Sequence, residues 1–288
     1  MQNTLAQLNS NNLSDTLIKK LLDYIEAKTG MIFAARLKTW VLKQVETIAI
    51  ASKATDITFF VEELIQDKKP IASSALFESL TVHETMFFRD KTYFNFMKQT
   101  MFPQLIEQNS NLKSLKIWVA AGSSGQEAYS ILFMLHKEFP QLKNWNLQIT
   151  STDLSQQIIN KGKEGIYEKH EVKRGLSKEE IEEYFQAINE SQWQVKEDLR
   201  TKINFKQSNL VEDFKYEIPK ADFISCRNVL IYFNDETKYD IIKRLAEKTE
   251  KGAYLLLGQV DYINAGPMPK DIEQKTESGF PFYRNISE

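Results

Sequence analysis

The sequence contains little cysteine, little net charge and no long apolar run. Its 288 residues include one cysteine, Cys226, which excludes a disulfide framework or a multi-thiolate metal site and is typical of a reducing cytoplasm. The 37 basic and 39 acidic side chains leave a net charge of −2, so nothing in the overall charge favours nucleic acid or a membrane surface as a partner. No run approaches the roughly 18–20 apolar residues of a membrane span, and the first residues lack the pattern of a signal peptide. We therefore expect a cytoplasmic protein that does not insert into a membrane.

The composition is that of a globular protein. Apolar residues make up 42% and charged residues 26% of the chain, both near the averages for folded domains. The length corresponds to one large domain or two modest ones. No group of His, Cys and carboxylate residues has the spacing of metal ligands, so we expect no metal.

The first eighty residues have the pattern of helices. Ser14 precedes DTLIKKLLDYIEAKTG, whose apolar residues recur at helical spacing until Gly30 stops the helix. Further helices are predicted from Ala34 to about Ile50 and from Asp56 to Gln66, followed by a break at Lys68-Lys69-Pro70.

From Leu115 onward, predicted strands and helices alternate. The strands are predicted at 115–121, 146–152, 221–225 and 252–257, and the helices at 126–137, from 155 onward, and at 235–248. This alternation favours a parallel sheet covered by helices. The interval from about Gly165 to Phe205 interrupts it, and residues 193–195 and 202–205 are predicted as short antiparallel strands of a small insertion.

The first strand–helix connection has the features of a nucleoside site. It contains Gly122-x-x-Gly125, where glycine lets the backbone approach a ligand, but it lacks the GxGxxG and Gly-Lys-Ser/Thr patterns of phosphate binding. Asp153, at the end of the next strand, would accept the hydroxyls of a ribose or simply cap a helix. Glu127 would meet an ammonium group or complement the helix dipole. A phosphate-free nucleoside such as S-adenosylmethionine suits this combination.

Six segments, in this order, resemble the chemotaxis receptor glutamate O-methyltransferases, the CheR family: HETMFFRD, AAGSSGQEAYS, STDLS, GKEGIYE, SNL and SCRNVLIYFND. The resemblance runs from about residue 80 to 265. It implies an α/β fold, with an all-helical domain at 1–78 and a class I S-adenosylmethionine-dependent methyltransferase domain at 79–288. That domain would hold a Rossmann-like sheet and a small antiparallel β-subdomain inserted at about 165–205.

The resemblance also implies site residues. The implied catalytic residues are Arg89 and Tyr232, and the implied cofactor-binding residues are His83, Thr85, Arg89, Glu127, Asp153, Asn209, Leu210, Arg227 and Asn228. His83 stands where the family usually has Asn, so it either touches the cofactor or is structural. The usual Gly-His-Ser-Glu is replaced by Gly258-Gln259-Val260-Asp261, expected at the rim of the site.

The implied reaction is methylation of glutamate carboxylates on the cytoplasmic helical region of chemoreceptors, tuning adaptation, with S-adenosylhomocysteine as product and a monomeric enzyme. The first sixty residues hold seven basic and five acidic side chains, a small excess that fits either a docking surface or a solvated helix face. Two alternatives remain open at this point. One is a same-fold methyltransferase acting on another substrate, and the other is a module that binds S-adenosylmethionine without transferring its methyl group.

Overall fold

The chain divides into two compact units. A computed structural model describes residues 7–32, 37–81, 84–212, 218–258, 261, 268–277 and 279–287. The first unit comprises residues 1–82 and 232–237, and the second comprises residues 83–231 and 238–288. The domain boundary at 78/79 implied by the family resemblance stays a prediction.

The first unit is built from helices. They are α1 Asp15–Thr29, α2 Lys38–Ala51, α3 Ile57–Ile65 and α4 Pro70–Leu80, with a 3₁₀ turn at Ser10–Asn12. The Ser14 hydroxyl accepts a hydrogen bond from the Leu17 amide at 3.2 Å, and Gly30 ends α1 in the left-handed conformation at φ 71°, as the sequence predicts. The break predicted at Lys68-Lys69-Pro70 is confirmed, since α3 ends at Ile65 and Pro70 begins α4, where proline fits the first position of a helix because no amide donor is needed there.

The second unit contains a seven-stranded sheet. In chain order its strands are β1 Ser114–Ala120, β2 Asn146–Asp153, β6 Ile203–Gln207, β7 Ala221–Cys226, β8 Thr249–Leu257, β9 Ile272–Glu277 and β10 Phe280–Asn285. They lie side by side in the order β6-β2-β1-β7-β8-β10-β9. The first five run parallel, and β10 is antiparallel to both β8 and β9. The parallel part has the 3-2-1-4-5 order of a doubly wound nucleotide-binding sheet, which confirms the predicted class I methyltransferase fold.

Helices flank this sheet in the chain. They are α5 Lys91–Phe96, a π-helical turn Met97–Met101, α6 Phe102–Gln108, α7 Gln126–Glu138, α8 Gln156–Glu164, α9 Lys169–Lys173, α10 Lys178–Tyr184, α11 Glu197–Arg200 and α12 Asp235–Glu247, with 3₁₀ turns at Pro140–Asn144 and Leu230–Tyr232. Apolar side chains of α5–α7 and of the strands form one buried core. None of the helices in the described ranges combines the length and hydropathy that crossing a membrane requires.

A second, three-stranded antiparallel sheet lies within residues 166–195. Its strands are β3 Ile166–Glu168, β4 Phe185–Ala187 and β5 Gln192–Val195, in the order β3-β5-β4. The antiparallel strand predicted at 202–205 is wrong. That segment belongs to β6, which pairs parallel to β2 with Ile203 opposite Ile149. A short strand with alternating burial does not reveal from its sequence which sheet it will join.

Candidate cofactor site at the carboxyl edge of the sheet

The loop after β1 is pressed against the end of β2. The Gly122 amide donates to the Thr152 carbonyl at 2.8 Å, and the Gly125 amide donates to the Gly122 carbonyl at 3.1 Å. Gly125 has φ 92°, and a Cβ there would lie 2.8 Å from the Phe205 ring. Both the backbone conformation and the space therefore require glycine at 125.

Asp153, the last residue of β2, ties this loop to the helix that follows. Its side chain is buried; Oδ2 accepts from the Ser123 amide at 3.0 Å, and Oδ1 accepts from the Ser155 amide at 3.1 Å. The cap of α8 is Ser155, whose hydroxyl accepts from the Ile158 amide, so the helix-capping alternative for Asp153 is wrong.

Glu127 and Arg227 form a buried ion pair beside this loop. The Arg227 side chain is only 3% exposed, and its Nη1 donates to Glu127 Oε2 at 3.0 Å. Its guanidinium stacks on the Tyr93 ring, 3.7 Å from the ring centroid. The Tyr93 hydroxyl donates to Ser225 Oγ at 2.8 Å, and Ser225 Oγ donates to Glu127 Oε1. The carboxylate of Glu127 is thus held in place by Arg227 and by Ser225.

The electrostatics of this cluster favour a charged guanidinium and a neutral phenol. Burial raises the pKa of Tyr93 well above its usual value, and the nearby Glu127 raises it further, so Tyr93 acts as a hydrogen-bond donor at neutral pH. Burial alone would lower the pKa of Arg227, but Glu127, Tyr93 and Asp90 together raise it. The guanidinium therefore stays charged.

The segment before α5 also reaches this cluster. Asp90 caps α5, with Oδ1 accepting from the Thr92 amide at 3.1 Å, and its Oδ2 accepts from Arg227 Nη2 at 3.3 Å. Phe88 and Asp90, on either side of Arg89, have positive φ values of 48° and 74°. Non-glycine residues adopt this conformation rarely and usually where the surroundings impose it. The backbone of Arg89 is therefore held next to Arg227, whose Nη2 also donates to the Arg89 carbonyl at 3.4 Å.

The ends of β6 and β7 bring further predicted residues to the same edge. The Ser208 amide donates to the Asp153 carbonyl at 2.9 Å, which places Asn209 and the buried Leu210 beside the end of β2. Asn228 follows Arg227 directly after β7 and has φ 57°. This edge is where ligands bind in open α/β sheets.

The structure therefore brings most of the predicted cofactor residues together. They are Arg89, Glu127, Asp153, Asn209, Leu210, Arg227 and Asn228. Thr85 is half-buried four residues before Arg89. His83 lies outside the described residues, and the role of Tyr232 stays a prediction. The backbone carbonyl of Tyr232 accepts from the Ile32 amide at 2.8 Å within the first unit.

Sequence reasoning missed Asp90, Tyr93 and Ser225 and misplaced Asp261. Ser225 is a polar residue near the carboxyl end of a buried strand, a signal that could have identified it. No local pattern marks Tyr93, whose partner Ser225 is 132 residues away. Asp261 is only 1% exposed, so the expectation that it lies at the rim of the site is wrong. Gln259 and Val260 lie outside the described residues.

The residues at this edge fit S-adenosylmethionine. Two buried polar atoms here, Ser123 Oγ and Arg227 Nε, have no hydrogen-bond partner among the residues that the structure describes, as expected where a polar ligand completes a site. Glu127 and Asp90 both form ion pairs with Arg227, so these three side chains together carry one net negative charge. The cofactor, with an ammonium, a sulfonium and a carboxylate, carries a net positive one.

Comparison with known proteins shows the family of this chain. Residues 83–278 match the family model described as CheR methyltransferase, SAM binding domain. "Chemotaxis protein methyltransferase 1" of Pseudomonas aeruginosa is 38% identical over 208 residues, covering 70% of this chain and 74% of that protein. "Chemotaxis protein methyltransferase" of Vibrio anguillarum is 30% identical over 249 residues, covering 85% and 89%, and that of Borreliella burgdorferi is 29% identical over 256 residues, covering 88% and 90%. The chain belongs to the CheR methyltransferase family.

Proposed function

We propose that this chain transfers the methyl group of S-adenosylmethionine to glutamate side-chain carboxylates of chemoreceptors, as part of chemotactic adaptation. The observation that carries the proposal is the buried, net negative cluster around Glu127 and Arg227 at the carboxyl edge of a class I methyltransferase sheet. Membership of the CheR family and the names of the curated relatives, all chemotaxis methyltransferases, support the same substrate class.

Each end of the cofactor has a candidate partner. Asp153 would accept the ribose hydroxyls, while Asn209 and Leu210, held beside it, would contact the base. Glu127 would accept from the ammonium group, and Arg227 and Asp90 would keep Glu127 oriented for that contact. Thr85, Arg89 and Asn228 complete the proposed cofactor site, and His83 belongs to it as a proposal from the family resemblance.

The acceptor needs no general base. A glutamate carboxylate with an ordinary pKa of about 4.3 is already ionised at neutral pH. The cofactor supplies an electrophilic methyl group on a sulfonium. The protein has to exclude water and align the acceptor oxygen, and orientation alone can supply roughly 7–11 kcal/mol. The half-buried Arg89, whose Nη1 donates to the Glu84 carbonyl at 2.8 Å, would orient the acceptor carboxylate.

Tyr232 is the second proposed catalytic residue. If its hydroxyl acts only in the transition state, Tyr232→Phe will lower kcat on the order of 10²-fold and leave cofactor affinity nearly unchanged. Single-turnover methyl transfer at saturating cofactor measures this. A rate within about twofold of the parent would assign the tyrosine a structural role.

The substrate is tested with tritiated S-adenosylmethionine and membranes that contain chemoreceptors. We expect label on the receptor that alkali releases as methanol, because carboxyl methyl esters hydrolyse in base. A control with weakened cofactor binding is Asp153→Ala, and a control for general destabilisation is Asp222→Asn, at the opposite edge of the sheet. Base-stable label, or label on other molecules only, would indicate a different substrate. Cofactor binding with no transfer to any fraction would indicate a regulatory module.

A further inference from the structure

Asp261 is a buried carboxylate that holds the loop after β7. Its Oδ1 accepts from the Leu230 amide at 3.0 Å, and its Oδ2 accepts from the Asn228 amide. Two backbone amides thus converge on one side chain that is 1% exposed.

These contacts fix a left-handed turn. Asn228 has φ 57°, in the left-handed region that asparagine, after glycine, is among the residues to adopt most readily. Its amide and the Leu230 amide point at the same carboxylate, so the turn between them is fixed at both ends. Without an acceptor, these buried amides would be left without partners. Asp261 therefore determines the path of the loop that carries Arg227 and Asn228.

Gly258, at the end of β8, makes room for this arrangement. A Cβ at position 258 would overlap Asp261 Oδ2 and lie 3.0 Å from the Asn228 amide nitrogen. Any side chain there would push the carboxylate away from the loop.

We propose that Asp261 is a positioning residue of the cofactor site, which acts by holding residues 227–231 in the conformation that binds S-adenosylmethionine. The inference rests on the proposed cofactor contacts of Arg227 and Asn228. It assigns the last residue of Gly258-Gln259-Val260-Asp261, which departs from the family pattern, to the cofactor and not to the substrate surface.

A matched control exists at the opposite edge of the sheet. Asp222, at the start of β7, is 7% exposed and accepts from the Lys116 amide at 2.7 Å and from Asn109 Nδ2 at 3.2 Å. Burial raises the pKa of both Asp222 and Asp261. Replacing either carboxylate by an amide should disturb folding to a similar extent, but only Asp261 holds a loop of the proposed site.

The experiment measures the affinity of the full chain for S-adenosylhomocysteine by titration calorimetry. We expect Asp261→Asn to weaken binding at least tenfold. The asparagine Nδ2 group is a hydrogen-bond donor and would face a backbone amide, which is also a donor. Asp261→Glu should recover part of this loss, and Asp222→Asn should stay within twofold of the parent. If Asp261→Asn does not fold, Gly258→Ala, which keeps the carboxylate but displaces it, should show the same weakening.

The outcomes separate this inference from the proposed function. Parental affinity in a folded Asp261→Asn or Gly258→Ala chain would overturn the positioning role while leaving the function intact. Equal weakening by Asp222→Asn would also overturn it, since the effect would then follow general destabilisation. An unmodified chain that does not bind S-adenosylhomocysteine would instead refute the proposed function itself.

Discussion

The buried pair Glu127–Arg227 can be tested with a double-mutant cycle on stability. Arg227→Met removes the charge and the donors but keeps a side chain that packs on Tyr93. Breaking a buried ion pair by removing one partner costs about 3–5 kcal/mol. We expect the lower end of that range, because Glu127 keeps the hydrogen bond from the Ser225 hydroxyl.

The second single variant, Glu127→Gln, should cost about 2 kcal/mol, less than the general range, since Arg227 keeps Asp90 as a counterion at 3.3 Å. In the double variant, neither residue 127 nor residue 227 carries a buried charge that has lost its partner. This variant should therefore be less destabilised than the sum of the singles by at least about 1.5 kcal/mol, within the range of coupling energies for residues in contact.

The measurement is urea unfolding followed by tryptophan fluorescence. Of the four tryptophans, Trp40 lies in the first unit, and the others, Trp118, Trp145 and Trp193, lie in the second. A Trp40→Phe background therefore makes the signal report on the unit that holds the pair. Additivity of the two substitutions within about 0.5 kcal/mol, as for independent sites, would refute the argument that they form one coupled buried pair.

Three further predictions follow from single contacts. Asp153→Ala should weaken cofactor binding by about 2–3 kcal/mol, as for hydrogen bonds to a charged group; unchanged affinity in a folded variant by calorimetry would remove Asp153 from the ribose. Burial raises the pKa of the Cys226 thiol well above its usual value, so iodoacetamide should label it only after unfolding. Labelling of Cys226 in the native protein, detected by mass spectrometry, would contradict this. Burial also raises the pKa of Asp222 above the ordinary 3.8, so its contribution is fully present below 3.8 and is lost as pH rises through the raised value. The stability of the parent relative to Asp222→Asn should therefore fall as the pH rises above about 4, and an increase in urea unfolding experiments would contradict this sign.

The parallel sheet and the position of the site could be predicted from the sequence, because both depend on local patterns. Strands and helices alternate visibly from Leu115, and Gly122, Gly125 and Asp153 follow predicted strand ends. Glu127 could be proposed from its place just after Gly125, and the family motifs added Arg227. The hydrogen bonds and ion pairs that connect these residues could not be predicted, because they depend on which segments, distant in sequence, come together in the fold.

The two clearest examples are Asp261 and β6. The carboxylate of Asp261 accepts a hydrogen bond from the amide of Asn228, 33 residues away in the chain. Asp261 is buried, whereas the sequence predicted a position at the rim of the site. The strand β6 has a short alternating pattern that fits either sheet. Its pairing with β2 places it in the seven-stranded sheet. In both cases the tertiary contact, and not the local sequence, determines the outcome.

The central claim, that the cofactor binds at the carboxyl edge of the parallel strands, is tested most directly by amide hydrogen exchange with and without S-adenosylhomocysteine. The account predicts slower exchange in the bound state at residues 122–127, 153–155, 208–210 and 227–231. It predicts no change at residues 108–116 and 250–252, at the opposite edge. Protection at that opposite edge, or none at the four predicted segments under saturating ligand, would contradict it.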